Sequence, residues 1–198
     1  DSVFAGTDSN ISESLWKLSN LRDNPVTGGM GSGAFWQSID EVAQRGFALD
    51  EVKSLIAETK SIIETLTLAK TKAKHNADSL DYAIYAARRL KFMGDRALVA
   101  KLLDESDTNT VIRSGATTAI NSLVSDAKDL RREYERLWKL ENRDWWLSNN
   151  LAKFDALISK LNKLASGPRF SPQQTSFQVS LSVHLSGIDP ITEIRYTL

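Results

Sequence analysis

The segment DEVKSLIAETKSIIETLTLAKTKAK, Asp50 to Lys74, decides the fold. Val52, Leu55, Ile56, Thr59, Ile62, Ile63 and Leu66 recur at three-and-four spacing. That is the period of a helix with one buried face. With Asp50 as its cap, the helix runs to about Lys74, a rod of about 38 Å at 1.5 Å per residue. His75-Asn76-Ala77 reads as the turn after it.

The same period continues downstream. Asp78 or Ser79 caps a second helix, expected to reach about Met93. Leu80, Ala83, Ile84, Ala87 and Leu90 form its stripe, and Tyr82, Tyr85 and Phe92 widen it. Gly94-Asp95 reads as a break or kink. After a polar connection, Asp104 to Asn109, one apolar face runs from Ile112 through Leu123, Leu130, Tyr134, Leu137 and Trp138. It resumes after Arg143 with Trp146, Leu147, Leu151, Phe154, Leu157, Ile158 and Leu161, continuous or kinked near Asn142-Arg143-Asp144. Upstream, a short helix is expected from about Ala34 to Arg45, with Phe35, Ile39 and Val42 on one face and Gly46 at its end.

The ends differ in character. Residues 1–34 read as loosely structured, with a short helix carrying Ile11, Leu15, Trp16 and Leu18 and then a glycine-rich loop from Asp23 to Gly33. Gly167-Pro168 stops the last helix. Phe177, Val179, Leu181, Val183 and Leu185 then alternate with polar residues, the period of a half-buried strand. Glu193 to Leu198 reads as a second strand after the Gly187–Pro190 turn. The expected architecture is mainly α. An up-and-down bundle of long helices occupies 35–166, and two strands in 173–198 form a docked hairpin or the start of a truncated β domain.

Composition narrows function. The 198 residues hold 25 Lys plus Arg and 25 Asp plus Glu, so no net charge argues for nucleic acid. Cysteine is absent, which removes disulfides, thiol chemistry and Cys-based zinc sites. No run of about 18 apolar residues exists to span a bilayer. The chain opens on Asp1, from which we expect a removed leader or a piece of a longer protein.

Candidate chemistry is sparse. Gly29-x-Gly31-x-x-Ala34 matches a dinucleotide fingerprint only formally, because Leu21–Pro25 is not the buried strand that must precede it. His75 and His184 have no partner at metal-ligand spacing. Asp40-Glu41, Asp50-Glu51 and Asp104-Glu105 read as helix-end and turn acids rather than a hydrolytic pair. No nucleophile elbow occurs. Arg88-Arg89 and Arg131-Arg132 read as basic pairs on solvated helix faces. We therefore assign no catalytic, cofactor or metal-binding residue. The aromatic run Tyr134, Trp138, Trp145, Trp146 and Phe154 carries the candidate contacts. Tyr134, Trp138 and Phe154 follow the buried stripe. Adjacent Trp145 and Trp146 would point about 100° apart on a helix, so both cannot easily face one core. Core packing, a domain–domain contact and a sugar platform all remain open for the aromatics, and one face including Trp145 or Trp146 is expected to be exposed. Trp145, Trp146 and Arg143 are the candidate partner or glycan contact.

Glu133-Tyr134-Glu135-Arg136-Leu137-Trp138-Lys139-Leu140-Glu141-Asn142-Arg143-Asp144-Trp145-Trp146-Leu147 resembles the E-Y-x-x-L-W-x-x-E-N-R-P-x-W-L segment of bacterial family 20 glycoside hydrolases, the β-N-acetylhexosaminidases. In that family the segment lies in the helical region after the catalytic barrel. Asp78–Leu90 is similar to an upstream helix of that region, and Ile194-Arg195-Tyr196-Thr197-Leu198 to the I-R-Y-T strand of a C-terminal β domain found in chitobiases and hexosaminidases. The three pieces occur in family order, over about residues 48–198. Asp144 stands where the family often has proline, which favours a continuous helix. The family's catalytic Asp-Glu pair lies on its barrel and matches no position here. The resemblance implies a noncatalytic accessory helical domain of a secreted or periplasmic enzyme, packed between the barrel and β domain of the same parent chain. An independent helical module binding a protein or glycan through its aromatics is the alternative.

Overall fold

A computed structural model of the chain describes residues 2–4, 10–28, 33–105, 110–166, 169–171 and 184–186. The protein is mainly α. Helix α1 spans Ile11–Asn20, α2 Ile39–Ala43, α3 Leu49–Lys72, α4 Ser79–Glu105, α5 Thr110–Glu141 and α6 Leu147–Ser166. Short 3-10 turns at Leu21–Asp23, Pro25–Thr27 and Ala34–Trp36 link α1 to α2.

The four long helices pack in chain order, α3 on α4, α4 on α5 and α5 on α6. Short connections force successive helices to run antiparallel. Lys70 near the end of α3 reaches Asp81 near the start of α4 at 2.5 Å, and Asp81 meets Arg136 late in α5 at 2.8 Å. Helix α4 lies at the centre, touching α1, α2, α3 and α5. Its apolar face is accordingly wide, with Leu80, Ile84, Ala87, Phe92, Ala97 and Val99 all buried.

Expected boundaries shift at four places, each for a physical reason. The Ala34–Arg45 helix is two pieces. Ser38 accepts a bond from the Glu41 amide, and Glu41 Oε2 accepts one from the Ser38 amide at 2.6 Å. This capping box restarts the chain as α2. Helix α3 begins at Leu49 rather than after an Asp50 cap, because Glu51 Oε2 reaches back to the Ala48 amide at 3.1 Å. It ends at Lys72, and Asn76 takes a left-handed φ of 54° in the turn.

Gly94 does not break α4, which continues to Glu105. A Cβ placed on Gly94 would stand 2.8 Å from Ile56 Cγ1 on α3. Glycine there permits the close approach of two helices.

The expectation of a continuous α5–α6 helix is overturned. The helix stops at Glu141 and restarts at Leu147. Phe154 and Tyr134 have ring centroids 5.5 Å apart. On one unbroken helix, positions 20 apart would be separated by about 30 Å. The chain must fold back for those rings to meet.

Part of the N-terminal segment joins the core among the described residues. Ile11, Leu21, Val26 and Thr27 are buried, and Thr27 Oγ1 donates to the Arg22 and Asn24 carbonyls at 2.8 Å. Leu15 and Trp16 face outward instead of joining that core. Glycines 29 and 31 lie outside the described residues. Arg169–Ser171 and His184–Ser186 pair antiparallel. The expected strand segments 177–183 and 193–198 lie outside the described residues.

Candidate functional site

The corner between α5 and α6 is built from residues 134–150. Trp138, in the last turn of α5, donates its indole Nε1–H to the Arg143 carbonyl at 2.8 Å. Asn150 Nδ2, in the first turn of α6, donates to the Tyr134 hydroxyl at 2.9 Å. The Leu147 amide donates to the Asp144 carbonyl at 3.1 Å. These bonds satisfy polar groups at two helix ends that would otherwise need water. Buried Leu147 then anchors the returning helix.

Trp145 and Trp146 occupy the apex, 73% and 70% exposed. Trp146 holds a left-handed φ of 65°. A bulky residue in that region carries strain of roughly 1–2 kcal/mol. Leu140, in the last turn of α5, is exposed beside the connection, and Arg143 is exposed on it. The three candidate contacts Arg143, Trp145 and Trp146 therefore share one exposed turn, while Tyr134 and Trp138 are half-buried beneath it.

The remaining aromatics form a cluster that ties the segments together. Phe154 meets Phe35 at 5.8 Å and Trp36 at 4.9 Å, and Phe35 meets Phe92 at 5.5 Å. Arg89 lies 4.4 Å over the Phe35 ring, so it is not a solvated basic residue. Arg131 does fit the salt-bridged reading, and it also joins α5 to α6 through Asp155 at 2.6 Å. That carboxylate's hydrogen bond raises the Arg131 pKa.

Arg96 was not singled out by any sequence pattern. It is 1% exposed, and its guanidinium donates to the carbonyls of Ala34, Phe35 and Gln37 at 2.7, 2.7 and 2.8 Å. Burial pulls its pKa down to about 10, which leaves it charged near neutrality. It closes the C-terminal end of the Ala34–Trp36 turn from a different helix. A charge next to an aliphatic stripe was its only trace in the sequence.

Other candidates stay apart. His75 is exposed in the α3–α4 turn, and His184 lies in the short strand pair. Glu41 is held below the usual carboxylate range by its bonds from the Ser38 backbone and side chain. Among the described residues no group of three or more His, Asp or Glu is placed to hold a metal ion. No described helix is long and apolar enough to cross a membrane.

Two concavities accompany the corner. One, about 350 Å³, is a cleft over α4 between α3 and α5, with Lys60, Arg88 and Lys91 facing Asp126, Asp129 and Glu133. Burial raises the Asp126 carboxyl above its ordinary value, and Asp95 and Asp129 add to that. The other, about 750 Å³, is a groove between α1 and α3.

Comparison of the chain with protein-family models, with curated proteins and with solved structures finds no match in any of the three.

Proposed function

We propose that this chain is a noncatalytic accessory helical domain of a β-N-acetylhexosaminidase-like glycoside hydrolase, supporting a catalytic barrel and placing a following β domain. One observation carries the reading. The residues that resemble the glycosidase segment fold into a single device, a bonded corner that presents Trp145 and Trp146 outward. Exposed paired tryptophans beside Arg143 have the composition of an interface anchor. Holding Trp146 at a left-handed φ is a cost that a contact at this turn would justify. On this reading the aromatic apex packs on another part of the parent enzyme, which is secreted or periplasmic.

The same apex favours a second reading, an independent module whose tryptophans meet a separate protein or glycan. The size of the natural protein separates the two. An antibody to this domain is used to blot source cells and their secreted fraction. A secreted band several times 22 kDa that cleaves a chromogenic N-acetylglucosaminide supports the accessory domain. A band near 22 kDa removes the barrel and leaves the module.

A further inference from the structure

The groove between α1 and α3 lies on helices other than those bearing the tryptophan corner, and its lining has a consistent chemistry. On α1 it takes Asn10, Glu13, Ser14, Trp16, Lys17 and Asn20. On α3 it takes Glu58, Ser61, Ile62 and Thr65. Both sets follow three-and-four spacing, so each is one helix face. Leu21 and Ile62, 6% and 2% exposed, give it an apolar floor.

Hydrogen-bonding capacity in the groove is largely unspent. Among the described residues the side chains of Asn10, Asn20, Ser61 and Thr65 make no hydrogen bond, and Asn24 uses only Oδ1, accepting from the Val26 amide. Ser14 is the most telling. It is 6% exposed, yet its hydroxyl has no partner among the described residues and lines the groove. The oxygen is not itself sealed off but opens onto the groove, where water or a ligand hydroxyl can reach it.

The groove lining carries three acids, Glu13, Asp23 and Glu58, and one base, Lys17. Lys17 pairs with Glu13 at 2.6 Å, Asp23 with Arg22 at 3.4 Å, and Glu58 accepts from Ser54 at 2.9 Å. Among the described residues the one cation lining the groove, Lys17, is already ion-paired, which disfavours a phosphate or carboxylate ligand. Trp16, 65% exposed, adds a flat apolar face beside these amides and hydroxyls. The α1 wall from Asn10 to Asn20 runs about 15 Å.

Amides and hydroxyls that both donate and accept, carboxylates that accept, and one indole face together match an uncharged polyhydroxylated chain rather than an anion. We infer that the α1–α3 groove binds a short neutral oligosaccharide, with Trp16 against a sugar ring and Ser14, Asn20, Ser61 and Thr65 on its hydroxyls. This goes beyond the accessory-domain proposal and does not depend on it.

The 198-residue chain is titrated calorimetrically with chitohexaose, cellohexaose, maltohexaose and xylohexaose, with tryptophan fluorescence followed in parallel. At least one binds at sub-millimolar concentration with a change in emission. Trp16→Ala and Asn20→Ala each weaken binding tenfold or more, while Trp145→Ala/Trp146→Ala leaves it unchanged. Trp16 and Asn20 are exposed, so unaltered circular dichroism is expected for both variants. The inference is overturned if none of the four binds at millimolar concentration, if binding survives both groove variants, or if only the corner variant abolishes it. Competition by inorganic phosphate would equally overturn it, by showing an anion site. None of these outcomes bears on whether the natural protein cleaves an N-acetylglucosaminide.

Discussion

Arg96 on α4 donates to the carbonyl of Phe35 at 2.7 Å across 61 positions of sequence, and its guanidinium is sealed from solvent. A buried cation is stable only where its donors are engaged. Here the Ala34–Gln37 turn supplies three carbonyls that engage both terminal nitrogens, while the buried Nε has no partner among the described residues. The contact fixes Phe35 and Trp36 against Phe154, and through it the N-terminal segment is joined to α6.

Replacing Arg96 breaks both sides of that arrangement. Arg96→Met takes the guanidinium from three carbonyls, of which that of Ala34 keeps only a 3.4 Å bond from the Gln37 amide, and is expected to cost about 3–5 kcal/mol. Arg96→Lys keeps the charge but offers a compact ammonium in place of a planar fork, and recovers only part of the loss. Urea unfolding of the two variants and wild type measures this. Equal stability in all three would mean the carbonyls find water instead.

Asp81 and Asp126 make opposite predictions for pH. Burial acts to raise the Asp81 carboxyl, but bonds from Lys70 and Arg136 outweigh it and the net shift is downward. Its stabilisation is therefore present above the ordinary carboxylate value and lost as pH falls through the lower folded value. Both cations are partly exposed, so Asp81→Asn is expected to cost only about 1–3 kcal/mol at pH 7 and to flatten the acid limb of the stability curve. Asp126 is shifted upward by burial, so its ionisation opposes folding as pH rises through the raised value. Asp126→Asn should be neutral or stabilising at pH 7. Thermal melts between pH 3 and 8 read both signs, and a destabilised Asp126→Asn would contradict the second.

Gly94 tests helix propensity against packing. Alanine gains about 1 kcal/mol over glycine in a helix interior. Here its Cβ would press on Ile56 Cγ1 at 2.8 Å, and overpacking costs about 1–3 kcal/mol. Gly94→Ala is expected to destabilise on balance. Combined with Ile56→Ala it should cost less than the two single changes summed, a coupling that a double-mutant cycle in urea detects.

These sites show what the sequence made legible. Periodicity located the long helices, because Val52 through Leu66 and Leu123 through Leu137 bury one face each. It misjudged Gly94, where glycine serves a neighbouring helix and local pattern carries no trace of it. It also misjudged Asn142–Trp146, because apolar spacing looked continuous across a turn made by side-chain bonds from Trp138 and Asn150. Both tryptophans at that turn are exposed, whereas the adjacency argument assumed a helix that the chain does not form there. Arg96 and Ser14 were not, since their importance lies in partners, or missing partners, on distant segments.

Trp146 separates stability from use. Trp145 and Trp146 are almost equally exposed, so trimming either loses little burial. Only Trp146 has a left-handed φ, which glycine adopts freely. Trp146→Gly is therefore expected to stabilise the chain by about 1 kcal/mol. Trp145→Gly, with no such strain to relieve, should lower stability slightly through added backbone freedom. Chemical denaturation of the two variants checks the sign of each. Strain kept at an exposed tryptophan has no folding rationale, and a stabilised Trp146→Gly would leave contact with a partner as the reason for the indole. If Trp146→Gly instead destabilises, the indole contributes to the corner itself, and the interface reading of this turn loses its main physical support.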